Sequence, residues 1–404
     1  MRLFAHTGAR ALLVALAATA MAAAGCANIG TITESQLADC DMPDASTEPN
    51  LPTLPDKTAA DLQPPTSITG PTTAYTRSDQ IIPISNVPTE YQTLPVTVES
   101  SDGVEQTVAD TSRILALNQN GGLAAAVYAL GFGCQLVGRD IATGSSGMED
   151  LPLVVVNGTD LNAEAILALQ PTVVITDTSI GPYDAQLQLR EAGIPVVFVP
   201  IVYTDGVQGV GSQIQQVADA LGVPELGETL ADRTNREISG TIQAIGKMAP
   251  SDPADKPRVV FLYVRGKSIY YWFGEGSGAD SLIQSIGATD VAAEVGFEGM
   301  APTNSEALVE AAPDVIIAMT LGIASAGGLD EMLQLPGIQE TPAGKNRRVV
   351  DMSDYEVMSF GPQTAQVLAA LATAVYDPED AYVPEEPPAL IEKRLNEIEE
   401  ESDE

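Results

Sequence analysis

The sequence predicts two similar α/β lobes with parallel sheets, joined by one long helix. The first sign is an internal repeat: residues 161–177 read LNAEAILALQPTVVITD and residues 303–319 read TNSEALVEAAPDVIIAM. At an offset of 142 residues Asn162 falls on Asn304, Glu164 on Glu306, Ala165 on Ala307, Pro171 on Pro313 and Val173 on Val315. Each copy spells a short helix, a proline that stops it and an apolar strand suited to burial on both faces. The second sign is strand-like and helix-like text alternating around each copy. The third is Pro224–Met248, where Leu226, Leu230, Ile238, Ile242 and Ile245 recur at helical spacing.

In chain order, Arg2 and Arg10 precede an apolar run from Ala11 to Ala24, the layout of a secretory leader. The run is short for a bilayer span of about 20 residues. Ala23-Ala24-Gly25-Cys26 resembles the lipobox of bacterial lipoproteins, which implies removal of residues 1–25 and a lipid on Cys26. The mature chain then carries 17 bases against 55 acids, a charge of −38. Export to an oxidising compartment leaves Cys40 and Cys134 as a disulfide pair. Residues 41–100 hold 10 Pro and 11 Thr without helical period, so 26–93 reads as a lipidated, extended tether that drapes over the domain. The first lobe, 94–222, has strands at 113–117, 135–137 and 196–200 and helices at 123–130 and 187–192. Residues 223–250 form the linking helix, whose rigidity implies little opening and a largely pre-formed pocket. The second lobe, 251–376, has strands at 258–264, 315–318 and 348–352 and a helix at 279–286. The acidic end, 377–404, reads as mobile, with a short amphipathic helix around Leu390, Ile391, Leu395 and Ile398 as the alternative.

Composition removes most chemistry. A net charge of −36 opposes nucleic-acid binding. The one histidine, His6, lies in the leader, so no mature imidazole serves catalysis or binds metal. Three cysteines are too few for a Cys₄ site. Ser145 and Ser146 lack a histidine to activate them. No enzymatic role is expected.

Residues 260–273 read VFLYVRGKSIYYWF. Tyr263 and Arg265 are two apart at a strand end, so both point the same way, at the edge where open parallel sheets bind ligands. A phenolate is a hard oxygen ligand for Fe³⁺, and a nearby guanidinium favours that ionised form. Arg265 serves equally well as a carboxylate clamp, and Tyr263 as a tyrosine at the core rim. Tyr270 and Tyr271 extend an aromatic surface beside the pair, or pack as an edge strand. Arg139 is a second anion clamp or the ion-pair partner of Asp140. Tyr183 brings another aromatic to a strand end, and Met300 is a soft ligand or packing. Glu164 and Glu306 sit in the first turns of equivalent helices, capped by Asn162 and Asn304, where an acid is favoured by the dipole.

Together TSRILAL, LVGRD, LPLVVVNG, LNAEAILALQPTVVITDTSIGP, IPVVFV, VFLYVRG, YYWFGEGSGADSLI, TPAGKNRRVVDM and FGPQTAQVLAAL resemble actinobacterial haemin-binding lipoproteins over about residues 94–376. Such proteins are the substrate-binding subunits of haem ABC importers. The resemblance implies a class III substrate-binding fold: two Rossmann-like lobes on a helical backbone, monomeric and lipid-anchored at the extracellular face of the cell membrane. It implies haem b (haemin) as ligand and an ABC permease dimer with a cytoplasmic ATPase as partner, with Glu164 and Glu306 contacting the permease. Iron in that family is held by a first-lobe histidine and a second-lobe tyrosine with an arginine nearby. Tyr263 and Arg265 match the second half. Where the family reads Asn-Gly-His, this chain reads Asn157-Gly158-Thr159-Asp160, so Thr159 stands in the histidine's place. Haem is then five-coordinate on Tyr263, or Asp160 or Met300 approaches the iron, or the pocket serves a siderophore, corrinoid or non-iron porphyrin. A chelatase-like enzyme and a surface adhesin are the remaining alternatives.

Overall fold

The computed structural model describes residues 40–48, 51–145, 147–156, 158–202 and 204–403, with side chains as far as Ile398. The leader, Cys26, Ser146 and Asn157 lie outside the described residues. No described helix is long and apolar enough to cross a membrane.

The strands begin with β1 (Thr72–Ala74) and the hairpin β2 (Val96–Glu99) and β3 (Glu105–Val108). The first lobe follows as β4 (Ile114–Leu117), α1 (Gly122–Val127), β5 (Val155–Val156), β6 (Asp160–Leu161), α2 (Ala163–Ala168), β7 (Val173–Thr176), α3 (Tyr183–Glu191) and β8 (Val196–Phe198). Then come α4 (Val210–Ala220) and α5 (Pro224–Met248). The second lobe opens with β9 (Arg258–Arg265), β10 (Ile269–Phe273), α6 (Ala279–Ser285), β11 (Thr289–Asp290), α7 (Val291–Glu294) and β12 (Met300–Pro302). It continues through α8 (Ser305–Ala311), β13 (Val315–Met319), α9 (Thr320–Ser325), α10 (Leu329–Met332), α11 (Pro342–Asn346), β14 (Val349–Met352) and α12 (Thr364–Tyr376), before α13 (Ala389–Asp403).

The first sheet is parallel, in the order β4-β7-β8. The second runs β1-β14-β13-β9-β10-β12, with β11 also on β9. Its β10 and β12 are antiparallel, a departure from the all-parallel expectation. Only residues 266–268 join β9 to β10, and so short a loop makes a hairpin, not a crossover. The expected strand at 135–137 reduces to a bridge between Leu136 and Ile114, because Gly133–Gln135 form a helical turn.

The repeat survives in atomic detail. Asn162 caps α2 by accepting from the Ala165 amide (3.0 Å), and Asn304 caps α8 by accepting from Glu306 (3.0 Å) and Ala307 (3.4 Å). Gln170 and Ala312, each just before the proline, both take positive φ, 48° and 46°. The α-helical conformation is disfavoured before proline. Arg113 donates to the Leu169 carbonyl and Arg258 to that of Ala311, so each lobe closes the end of its short helix with the arginine that opens its first strand.

Helix α5 has 25 residues, about 37 Å at 1.5 Å per residue. Leu226, Leu230, Thr234, Ile238, Ile245 and Met248 form its buried stripe. A single core cluster takes in α5 and residues of both sheets. At Gly227 the helix meets α4 closely: a Cβ there would lie 2.4 Å from that of Ala218.

Two terminal segments pack on the lobes. Residues 40–48 and 51–93 drape over the domain and are stitched to both lobes. Cys40 bonds Cys134 in the first lobe, as the pairing argument expects. Lys57 pairs with Asp377 (2.7 Å) and Asp380 (2.8 Å), and the Ala59 amide donates to the Lys247 carbonyl at the end of α5 (2.8 Å). β1 adds a parallel edge strand to β14 of the second lobe. Buried Arg348 fixes that edge, donating to Thr72 Oγ1 (2.9 Å), the Gly70 carbonyl and the carbonyls of Ala374 and Val375. The far end, expected to be mobile, carries α13, whose Leu390 and Ile391 are buried with Leu321 and Tyr355. Apolar burial at one stripe is what anchors this otherwise acidic helix.

Candidate functional site

The hairpin β9–β10 sets which aromatics share a face. Tyr263 lies opposite Tyr271, and Phe261 opposite Phe273, which in turn faces Met300 on β12. These five project to one side. The Tyr263 ring stacks on Phe273 (centroids 5.9 Å, 11° between planes), and Tyr271 leans toward it at 6.5 Å and 60°. Phe261 and Phe273 are buried, Tyr263 and Tyr271 half-buried, and Met300 is exposed. The Tyr263 hydroxyl has no hydrogen-bond partner among the described residues, leaving its oxygen for a ligand.

Arg265 extends over this tyrosine, with Cζ 4.7 Å from the ring centroid. Its Nη2 donates to Asp354 Oδ1 (2.8 Å) and its Nη1 to the Val264 carbonyl (3.1 Å). Asp354 Oδ2 accepts from the Leu321 amide in the first turn of α9 (2.8 Å). Sequence reasoning missed Asp354. It follows β14 at the carboxyl end of the sheet, so the strand-end rule that selected Tyr263 could have found it.

Tyr270 does not belong to the site. It faces Val264 across the hairpin, on the side opposite Tyr263, and packs on the second apolar cluster. Its hydroxyl donates to the Pro336 carbonyl (2.7 Å), and burial raises its pKa, which opposes a phenolate. Among the described residues Arg139 makes no ion pair with Asp140, and its guanidinium is turned to loop carbonyls. Its Nε donates to the Leu151 carbonyl (3.1 Å), and its Nη1 to those of Asp140 (3.3 Å) and Thr143 (3.2 Å). Asp140 is fully buried, accepting from the amides of Asn118, Ala142 and Thr143 and from Thr143 Oγ1, and burial raises its pKa to about 6. Tyr183 is exposed at the start of α3, its ring against Phe198 and its hydroxyl directed to Asp102 Oδ2 (3.3 Å), a carboxylate already paired with Arg190. These residues organise loops.

Thr159 sits half-buried in the turn between β5 and β6, next to exposed Asp160. Its carbonyl accepts from the Gly181 amide (3.0 Å) in the loop that leaves the carboxyl end of β7. Glu164 and Glu306 are exposed in the first turns of α2 and α8. Between the lobes the contacts are close. The Val207 amide donates to Ser281 Oγ (3.0 Å), Ser145 Oγ to Gln363 Oε1 (3.2 Å), and Gln213 Nε2 to the Phe360 carbonyl (3.4 Å).

Two α/β lobes on one rigid helix, with an open tyrosine oxygen at the carboxyl end of a sheet, define a helical-backbone substrate-binding protein of class III. Residues 120–356 match the family described as periplasmic binding protein, and this chain belongs to that family. Among solved structures it resembles the heme binding protein HmuT at 35% identity, covering 78% of this chain and 100% of that one, with a TM-score of 0.74. The periplasmic heme-binding protein RhuT from Roseiflexus sp. RS-1 matches at 32% identity over 67% of this chain and 99% of that one (TM-score 0.61). The heme-binding protein BhuT, solved with two hemes, matches at 30% over 65% and 97% (TM-score 0.58). The chain is homologous to these haem-binding proteins. Comparison with curated proteins finds no match. The family binds ligands for transport and is not catalytic.

Proposed function

We propose that this protein is the haemin-binding lipoprotein of a haem ABC importer. Anchored through Cys26 at the extracellular face of the cell membrane, it captures haem b between its lobes and delivers it to a permease dimer driven by a cytoplasmic ATPase. Its parts are then a leader (1–25), a lipidated segment (26–93), a first lobe (94–222), the linking helix (223–250), a second lobe (251–376) and an acidic tail (377–404). The observation that carries the proposal is the Tyr263 oxygen, unpartnered among the described residues, on a ring that has the Arg265 guanidinium over it and the Tyr271 ring beside it. The phenolate ligates ferric iron, Tyr271 and Met300 line the porphyrin, and the guanidinium favours the phenolate. Free N–H groups of Arg265 answer the propionates. With Thr159 in place of a histidine, iron is held from one side, and affinity rests on the second lobe. The lack of any histidine beyond His6 also favours one second reading, in which the same cleft takes a corrinoid, a siderophore or a porphyrin without iron.

Delivery requires docking, and the repeat supplies one exposed acid per lobe, Glu164 and Glu306, suited to a two-fold permease. Such charges set orientation and encounter more than affinity. The double variant Glu164→Ala/Glu306→Ala is expected to keep haemin affinity and Tm while haem uptake by cells falls at least tenfold, each single variant lying between. Normal uptake in the double variant would remove both residues from the docking surface.

A further inference from the structure

We infer that Asp354 is the positioning residue of the ligand site, holding Arg265 over Tyr263 from a seat that Gly322 keeps open; the consequence for ligand release rests on the haem reading above. Arg265 has a long side chain on an edge-facing strand end and is about one-third exposed. Left alone, it would sample many rotamers, and a guanidinium that wanders supports neither a phenolate nor a ligand carboxylate. Asp354 removes that freedom. Its side chain is only 10% exposed, Oδ2 is tied to the Leu321 amide (2.8 Å), and Oδ1 is thereby fixed to receive Arg265 Nη2 (2.8 Å). Helix α9 supplies the other wall. A Cβ on Gly322 would stand 2.8 Å from the Val264 carbonyl oxygen and 3.0 Å from Arg265 Nη1, so glycine alone leaves room for the guanidinium. Arg265 is thus gripped by a carboxylate on one side and flanked by backbone on the other, with its plane left over the Tyr263 ring.

A residue that acts through Arg265 loses its effect once Arg265 is gone, whereas one that merely caps α9 does not. The test uses the full-length protein with ¹⁵N-labelled arginine, free of ligand. The Arg265 guanidinium signal, identified by its absence in Arg265→Ala, should be shifted by the Tyr263 ring current. It should move to the solvent-exposed position in Asp354→Ala and in Gly322→Ala, and return in Asp354→Glu. An unmoved signal in the two disrupting variants overturns the assignment. In the haemin-loaded protein, Asp354→Ala should speed haemin dissociation about tenfold, and add nothing in the Arg265→Ala background. Additive effects, or an unchanged rate, also overturn it. Should haemin fail to bind the unmodified protein, the haem reading falls, and the ligand-free signal still decides the role of Asp354.

Discussion

Tyr263→Phe is expected to weaken haemin binding about 100-fold, or ~2.8 kcal/mol, and to abolish the tyrosinate-to-iron charge-transfer band of the ferric complex. The fold should not notice. Phenylalanine keeps the stacking on Phe273 and the contact with Tyr271, and the lost hydroxyl has no partner within the described protein. Removing an unpaired polar tip at a half-buried position changes stability by about 0.5 kcal/mol or less. Visible spectra, haemin titrations and apo-protein melts of the two proteins separate these outcomes. An unchanged spectrum would move the iron ligand elsewhere, with Met300 and Asp160 the next residues to replace.

The second large effect concerns stability. Cys40→Ser opens a disulfide that closes 94 residues of chain. Restricting the unfolded state by a loop of that length contributes about 4.6 kcal/mol in the chain-entropy account. The variant should therefore unfold at markedly lower denaturant concentration than the wild type. A reducing agent should bring the wild type to the same midpoint and leave the variant where it is. Haemin affinity should stay the same, since the bond is anchored in the first lobe and Tyr263 stands on β9 of the second. Coincident unfolding curves in oxidising buffer would show that Lys57, β1 and Arg348 already hold the segment without the bond.

What the sequence disclosed was mostly local. The repeat could be read because an asparagine cap, a proline stop and an apolar strand each act within a few residues, and α5 because its stripe recurs over 25. β1 could not be read. Its three residues owe their strand conformation to Val350 and its neighbours, far along the chain. The amphipathic positions of α13 were visible, but Leu321 and Tyr355, which bury them, were not. That Tyr263 and Arg265 share a face followed from alternation along one strand. Tyr270 was misassigned because the face it occupies depends on the register across the 266–268 turn, which pairs Tyr271 with Tyr263. Arg139 and Tyr183 bond to backbone carbonyls and to a hairpin carboxylate, and neither partner leaves a mark in the sequence.

The central claim, that this cleft recognises ferric haem through a tyrosine oxygen, is met most directly by titrating the purified protein with haemin and, in parallel, with iron-free protoporphyrin IX. Both share the ring and the two propionates, and only haemin offers iron to Tyr263. Haemin should saturate with a high-spin spectrum and a charge-transfer band, binding at least tenfold more tightly than the iron-free ring. Equal affinity for the two, or no saturation by haemin, would contradict it.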